Sequence, residues 1–296
     1  MTIFFVQLLP LAFFALSLTV PICVGLWIRH QRKHRRNPLT YQMFRNPGES
    51  INGRIEQLND EIQDYLAFTG IVPLFFYSAY LSTRYFTDTK ISPWSYCALT
   101  VIFVGHFGYR LSKAIKQRHN EQLGLDCERA VGQELNQLML EGCHVFHDFQ
   151  ADKFNIDHIV VAENGVFAIE TKGRAKPDRG KGQADARVTY DGDYLQFPHW
   201  REQDPLEQAK RQASWLSQWL SSAVGDQIAV RPVLALPGWF IDRKKPYPII
   251  YNGKTPQFLT KIRTEAQFSQ EMIQRISHQL EQKCRNVAPQ AYKKKE

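Results

Sequence analysis

The sequence has few of the residues that build zinc sites or disulfide-stabilised folds. Only five cysteines occur in 296 residues, and no two of them form a C-x-x-C pair. Structural zinc sites commonly use such pairs, so we expect no zinc site. Cys23 and Cys97 lie in apolar stretches, and we expect no disulfide in a cytosolic domain. His144, His147 and His158 lack the spacing of metal ligands, and we interpret them as structural or surface residues.

The N-terminal segment lacks charge altogether. Residues 3–28 contain no charged side chain and exceed the roughly 20 residues that a helix needs to cross a bilayer. A cleaved signal peptide has a positive region before a shorter apolar core. Here the positive run RHQRKHRR follows the apolar segment, at 29–36. We therefore predict a membrane span at 3–28, with a signal peptide as the alternative.

Two further apolar stretches, residues 65–86 and 92–109, are rich in aromatic side chains and less hydrophobic than the first. We predict that both span the membrane; the alternative is a buried pair of core helices. The preceding residues, 50–66, carry isoleucine and leucine at helical spacing. We interpret them as an amphipathic helix that leads into the second span, although it could also lie on the membrane or pair with its own copy.

The positive charges predict the direction of the spans. They are dense between the first and second stretches and after the third, and sparse between the second and third. Basic residues collect on the cytoplasmic side. We therefore predict an inner (plasma) membrane protein with about three spans, its N-terminus outside and a basic cytoplasmic loop at 29–64. Anionic lipid headgroups are the expected partners of these clusters, so the net charge of +8 is only weak support for nucleic-acid binding.

The membrane region is predicted to end at residue 119, and residues 120–296 read as a cytoplasmic α/β domain. The pattern runs helix, three strands, hairpin, helix, strand and helix, which is typical of a mixed sheet flanked by helices. One hairpin is predicted to turn at Asp191-Gly192. Asp204, Pro205 and Glu207 mark the start of a helix.

The stretch DHIVVAENGVFAIETK, at 157–172, reads as two strands joined by a turn at Asn164-Gly165. That turn would place Asp157 opposite Lys172, and Glu170 would share their face, with diagonal neighbours about 7 to 8 Å apart. Two such carboxylates can hold a hard ion such as Mg²⁺, and a lysine can orient water or phosphate oxygens. The alternative is a cross-strand ion pair of Asp157 and Lys172, with Glu170 solvated.

The order of the motifs resembles that of the PD-(D/E)XK nucleases, and more closely that of the nuclease-related domain, NERD. The resemblance covers about residues 123–236, which leaves 237–296 as a C-terminal extension. Four motifs carry it: Gly132-Gln133-Glu134 on a helix, Asp157 before an apolar strand, Gly165 with Glu170-Thr171-Lys172 on the next strand, and Pro205 to Gln208 on a later helix. In this sequence Asn155-Ile156 precedes the aspartate, where the family pattern has proline.

The resemblance implies a restriction-endonuclease-like fold and a nuclease that uses Mg²⁺ or Mn²⁺ on nucleic acid, with DNA as the expected substrate. It implies catalytic roles for Glu134, Asp157, Glu170, Lys172 and Gln208, and metal binding by Asp157, Glu170 and Glu134. From the sequence alone, Glu134 could equally be an exposed helix acid and Gln208 a surface amide. The alternative function is a catalytically silent, membrane-tethered module that binds nucleic acid or protein.

A basic loop follows the Glu170-Thr171-Lys172 strand, where a phosphate backbone would have to pass. A solvated flexible loop is the competing interpretation. The candidate nucleic-acid-binding residues are Arg174, Lys176, Arg179, Lys181 and Arg187. We expect no small-molecule cofactor and leave a homo-oligomer open.

Overall fold

The computed structural model describes residues 2–32, 37–86, 92–176, 186–263 and 267–289. The chain divides into two compact units. The first comprises residues 1–40, 55–119 and 289–296, and the second comprises residues 41–54 and 120–288.

Three long helices supply most of the first unit. They are α1 (Thr2–Arg32), α2 (Glu49–Phe86) and α3 (Pro93–Asn136). The predicted amphipathic segment and the second apolar stretch form one continuous helix, α2. This agrees with the interpretation that the amphipathic residues lead into the second apolar stretch.

Within the first unit, α2 and α3 contact each other through aromatic side chains. Phe68 stacks on Phe107 with ring centroids 5.0 Å apart, and Tyr80 meets Tyr96 edge-on at 5.9 Å. The guanidinium of Arg110 donates to the hydroxyl of Tyr65 at 3.0 Å. The aromatic residues that made these two stretches less hydrophobic therefore pair the two helices.

One helix among the described residues is long and apolar enough to cross a membrane. It lies at Glu49–Arg84, within α2, and only 6% of its most apolar 18-residue window is buried. A core helix of a soluble domain would be mostly buried, so the exposure of this window favours a membrane span over a buried core helix. A shorter apolar stretch lies at Ala15–Ile28. The predicted number of spans and their direction stay predictions.

The second unit is built on a five-stranded sheet. Its strands are β2 (His144–Gln150), β3 (Asn155–Ala162), β4 (Gly165–Thr171), β8 (Val230–Ala235) and β10 (Ile249–Tyr251). Their order is β10-β8-β4-β3-β2. Strands β4, β8 and β10 are parallel, whereas β3 is antiparallel to β4 and to β2. The predicted mixed sheet is therefore present.

Helices cover both faces of this sheet. On one face α4 (Asp204–Val224) and α5 (Gln270–Cys284) pack a core that includes Phe149, Ile159 and Leu216. On the other face the last turns of α3 pack a core that includes Leu135 and Phe167. Helix α4 begins at Asp204, with Gln203 in the N-cap position, so Asp204, Pro205 and Glu207 mark the helix start as predicted.

A second, four-stranded sheet has the order β7-β6-β5-β9. Its strands are β5 (Arg187–Tyr190), β6 (Leu195–Gln196), β7 (Arg201–Glu202) and β9 (Phe240–Arg243). Strands β5 and β6 form the predicted hairpin around Asp191-Gly192, since Tyr190 pairs with Leu195. The sequence did not predict β7, β9 or β10, because strands of two to four residues are too short for a period to be read.

The second unit includes residues 41–54, which lie upstream of the predicted domain start at 120. Strand β1 (Met43–Phe44) pairs with β11 (Arg285–Val287). The Nε and Nη2 atoms of Arg45 donate to Oδ2 of Asp148 at 2.9 and 2.5 Å. The carboxylate of Asp148 is fully buried, so this pair ties a segment from the predicted membrane region into the α/β domain.

Candidate active site

The hairpin of β3 and β4 has a different register from the predicted one. Glu163 and Asn164 form the turn, and Ala162 pairs with Gly165. His158 pairs with Ile169. The next pair along the same register is Asp157 with Glu170. The prediction that Asp157 lies opposite Lys172 is therefore wrong. The register differs by two residues, so the predicted face is unchanged because side chains alternate with a period of two.

Asn164 explains why the turn lies one residue earlier. Its side-chain nitrogen donates to the backbone oxygens of Leu259 at 2.7 Å and Ile262 at 2.9 Å. These long-range bonds hold Asn164 in the turn. Gly165, with a φ of +139°, then begins β4. The local sequence allows a turn at Glu163-Asn164 or at Asn164-Gly165. The distant carbonyls that decide between these two turns cannot be read from it.

The structure brings Asp157, Glu170, Lys172 and Gln208 together at the end of β4. Glu170 is 2% exposed and Asp157 is 5% exposed. Oε1 of Glu170 accepts from Nζ of Lys172 at 2.6 Å and from Nε2 of Gln208 at 2.7 Å. Oδ2 of Asp157 accepts from the backbone N–H of Thr171 at 2.7 Å. Lys172 thus pairs with a buried Glu170, so the alternative of an Asp157–Lys172 pair beside a solvated Glu170 is wrong.

Glu128 on α3 is a third buried carboxylate at this site. It is 6% exposed, and its Oε2, like Oε2 of Glu170, has no hydrogen-bond partner among the described residues. Burial raises the pKa of Glu128 to about 8, with the charges of Asp148 and Glu170 acting in the same direction. We call Glu128, Asp157 and Glu170 the acid cluster.

The structure does not bring Glu134 into the acid cluster. Glu134 lies six residues after Glu128, and six residues of an α-helix turn the side chain by roughly 120° from where it began. Its carboxylate instead accepts from Gln137 at 3.4 Å, and its charge adds to the burial that raises the pKa of Tyr251. Of these two acids on α3, Glu128 therefore lies with Asp157 and Glu170, and the roles predicted for Glu134 stay predictions.

The sequence contained a signal for Glu128. It precedes Val131, Leu135 and Leu138 by three, seven and ten residues, so it lies on the apolar stripe of the helix. All three apolar residues are fully buried. An acid beside a buried stripe is costly unless it has a partner or a function. Glu134 borders the same stripe, three residues after Val131 and four before Leu138, so the spacing alone does not choose between the two acids.

If all three carboxylates were ionised, the acid cluster would carry more negative charge than its protein partners balance. Burial, followed by the charges of Glu170 and Glu128, raises the pKa of Asp157 well above its usual range. The bond from Thr171 N–H and the charge of Lys172 oppose this shift. Oxygen-rich, negatively charged groups with unpartnered atoms fit a hard divalent cation.

The described residues include no group of three or more His, Cys, Asp or Glu side chains that stand in position to hold a metal ion together. A divalent ion at the acid cluster would therefore take part of its coordination from water. Mg²⁺ commonly does so, because it dehydrates reluctantly. The donor set fits such an ion in chemistry, and Glu170 Oε2 and Glu128 Oε2 are the oxygens that protein donors leave free.

The predicted nucleic-acid-binding residues do not share one environment. Arg174 is held by Glu202 through two bonds of 2.9 Å. Lys176 and Arg187 are exposed. Arg179 and Lys181 lie outside the described residues. Arg174 therefore anchors the end of β4 to β7, which reduces its freedom to meet a phosphate.

His147 and His158 are buried and contact each other. Their Nδ1 atoms lie 2.9 Å apart, and Nε2 of His147 lies 2.9 Å from Oδ1 of Asn136. Burial lowers the pKa of His147 to about 4 and that of His158 well below its usual range. Both rings are therefore neutral at physiological pH.

A mixed sheet flanked by helices, with buried acids and a lysine where adjacent strands end, fits a nuclease-like α/β fold. Residues 123–237 match the family model described as nuclease-related domain, NERD. The chain thus contains a nuclease-related domain, and the resemblance read from its motifs is confirmed. Comparisons with curated proteins and with solved structures found no match.

We predict that Glu128→Gln flattens the pH dependence of stability. Glu128 binds a proton in the folded state up to about pH 8, whereas an unfolded glutamate releases it near pH 4.3. The free energy of unfolding should therefore fall as pH rises between these values. In EDTA, the variant should lose less stability than wild type between pH 5 and 8, by on the order of a few kcal/mol.

Urea unfolding, followed by tryptophan fluorescence at both pH values, measures this difference. Glu134→Gln is the matched control on the same helix, because Glu134 is half-exposed and lies outside the acid cluster. Equal pH slopes for wild type and Glu128→Gln would contradict the prediction.

Proposed function

We propose that this protein is a membrane-anchored nuclease that hydrolyses phosphodiesters with Mg²⁺ or Mn²⁺, with DNA as the expected substrate. The observation that carries the proposal is the meeting of Asp157, Glu170 and Lys172 at one buried site. The nuclease-related domain at 123–237 supports the reaction class.

Asp157 and Glu170 would hold the ion directly, with its coordination completed by water, and Glu128 would act on the ion through such a water. We propose Glu128 in the place that the motif resemblance assigned to Glu134. When bound, a divalent ion supplies a nucleophilic water and neutralises charge that develops on the phosphate. Binding would also displace the protons that the raised pKa values of Asp157 and Glu128 retain.

The protein's own residues orient the reactants. Hydrolysis forms a bond from the water oxygen to phosphorus and breaks the bond from phosphorus to the leaving sugar oxygen, which gains a proton. Lys172, with a side chain 24% exposed, can donate to a phosphate oxygen or to the attacking water. Gln208 holds Oε1 of Glu170 at 2.7 Å, so it acts as a positioning residue.

One observation favours the second candidate, a catalytically silent module that binds nucleic acid or protein. Lys172 and Gln208 both occupy Oε1 of Glu170, and this arrangement keeps the lysine charge satisfied without substrate or ion. The two candidate functions differ in one testable property. A nuclease cleaves a bound strand when a divalent ion is present, whereas the silent module binds the strand without cleaving it.

A cleavage assay on the full chain in detergent tests the proposal. End-labelled single- and double-stranded DNA and RNA are incubated with Mg²⁺, Mn²⁺ or EDTA. We expect cleavage with either ion, none in EDTA, and none for Asp157→Asn. Binding of strands without cleavage under every ion condition would instead establish the silent module.

We further propose three spans with the N-terminus outside and the α/β domain in the cytoplasm. The exposed apolar surface of α2 supports at least one span, and the basic residues that flank the apolar stretches support the direction. Reporter fusions at the C-terminus and near Thr87 should report opposite compartments. The same compartment for both would remove the three-span arrangement.

A further inference from the structure

A cavity of about 700 Å³ lies where two sheet edges of the second unit approach each other. Strand β9 of the four-stranded sheet forms one wall, and β10 of the five-stranded sheet, with the residues that follow it, forms the other. Its lining includes Arg187, Phe240, Arg243, Lys254 and Phe258. The residues that line the cavity do not include any member of the acid cluster.

The cavity is positively charged. Three cationic side chains line it, Arg187, Arg243 and Lys254, against a single acid, Asp242. All three cations are exposed, and none of them forms a salt bridge with a described residue. Cations that the protein leaves unbalanced around a concave surface favour an anionic ligand.

Aromatic rings interleave with these cations. Phe240 is 51% exposed and pairs in register with Arg187 on the neighbouring strand. Phe258 packs edge-on against Tyr251, with ring centroids 5.5 Å apart. A half-exposed phenylalanine beside Arg187 offers a base a face to stack on, and the cations that line the cavity can meet the phosphate, as in sites that bind single strands.

The register of the parallel strands places this cavity at the same end of the sheet as the acid cluster. Thr171 of β4 pairs with Ala235 of β8, and Ala235 pairs with Tyr251 of β10. Strands lie about 4.8 Å apart, so the backbones of Thr171 and Tyr251 are roughly 10 Å apart. That distance equals about three stacked steps of a B-form strand at 3.4 Å each.

We propose that this cavity is a nucleotide subsite, which holds an unpaired base and its phosphate a few nucleotides from the bond that is cleaved. The inference rests on the proposed function for the role of the bound strand. The subsite also specifies the class of substrate, because a base can stack on Phe240 only if no neighbouring base covers its face. The substrate is therefore a strand that is single-stranded on that side of the cleaved bond.

Binding can be measured apart from cleavage. The probe is a fluorescein-labelled deoxyoligonucleotide of eight residues, titrated by anisotropy with the full chain in detergent and EDTA. We expect Phe240→Ala to weaken binding of the single strand by about tenfold or more. Arg243→Ala should reduce the slope of log affinity against log salt by about one. A duplex of the same sequence should be affected less by Phe240→Ala.

Lys283→Ala is the matched control, since Lys283 is an exposed cation on α5 outside this cavity. Phe240 is half-exposed, so its removal should leave the core intact, which circular dichroism checks. Single-strand affinities of Phe240→Ala and Arg243→Ala within twofold of wild type would overturn the subsite, as would absence of wild-type binding. Equal weakening of single strand and duplex would overturn its preference for an unpaired base.

The two proposals fail in different ways. Selective loss of oligonucleotide binding in Phe240→Ala, in a wild-type protein that cleaves nothing, would support the subsite and remove the nuclease activity. Metal-dependent cleavage with unchanged binding in both cavity variants would support the nuclease and remove the subsite.

Discussion

Asp157→Ala and Glu170→Ala are each expected to abolish cleavage and to weaken divalent-ion binding, whereas Lys172→Ala should greatly reduce cleavage without weakening ion binding. Asp157 and Glu170 lie on adjacent strands, are almost fully buried, and are the two carboxylates that the hairpin places opposite each other. One carboxylate holds a hydrated Mg²⁺ poorly, so removing either should reduce affinity for the ion.

Lys172 should behave differently because its charge opposes a cation. Its Nζ lies 2.6 Å from Oε1 of Glu170, and its removal frees that oxygen. We expect Lys172→Ala to bind the ion at least as tightly as wild type. Cleavage should nevertheless fall by a large factor, since orientation of the water or phosphate is lost.

Calorimetric titration with Mg²⁺ and Mn²⁺ separates these effects, and thermal stability gives a second readout that does not depend on activity. An ion at about 100 times its dissociation constant stabilises the folded state by roughly 2.7 kcal/mol. Mg²⁺ should therefore raise the melting temperature of wild type and Lys172→Ala but not that of Asp157→Ala. Equal ion affinity in wild type and Asp157→Ala would remove the metal-dependent mechanism.

Arg45→Ala is expected to destabilise the α/β domain by about 3 to 5 kcal/mol. Arg45 makes two bonds to Oδ2 of Asp148, and the Asp148 side chain has no exposed surface. Without the guanidinium, this carboxylate keeps only neutral donors, such as Ser50 N–H at 2.8 Å and Asn155 Nδ2 at 2.8 Å. Removing one partner of a buried ion pair leaves an uncompensated charge.

Arg54→Ala is the matched control for this prediction. Arg54 also lies on the segment 41–54 and pairs with Glu121 at 3.1 Å, but its side chain is 48% exposed. Exposed pairs contribute about 0 to 1 kcal/mol. Urea unfolding followed by tryptophan fluorescence compares the variants, and equal losses for the two would show that burial of Asp148 does not set the cost.

The same contact has a consequence for fragments of the protein. A fragment that begins at residue 120 lacks Arg45 and strand β1, so it should be less stable than one in which residues 41–54 are retained. The predicted domain start at residue 120 was placed after the last apolar stretch. Composition could not show that residues 41–54 also belong to the α/β domain, because they are held there by a long-range ion pair.

Local patterns were sufficient for several elements of the α/β domain. The apolar runs at 157–162 and 165–171 form β3 and β4, and Asp191-Gly192 turns a hairpin, because strand period and turn chemistry are properties of neighbouring residues. The face shared by Asp157, Glu170 and Lys172 was also predictable. Side chains alternate between the two faces of a strand, so a shift of the register by two residues leaves each side chain on the same face.

The sequence by itself determined the α/β character of residues 120–288, the face that carries Asp157, Glu170 and Lys172, and the apolar stretch within α2. Only the tertiary structure decided that Asp157 lies opposite Glu170, that Glu128 rather than Glu134 joins them, and that Arg45 belongs to the domain. The physical reason is the range of the interactions. Strand periods and turn motifs depend on neighbouring residues. Long-range contacts decide the rest: the bonds of Asn164 to Leu259, the position of α3 beside the end of β4, and the buried pair of Arg45 and Asp148.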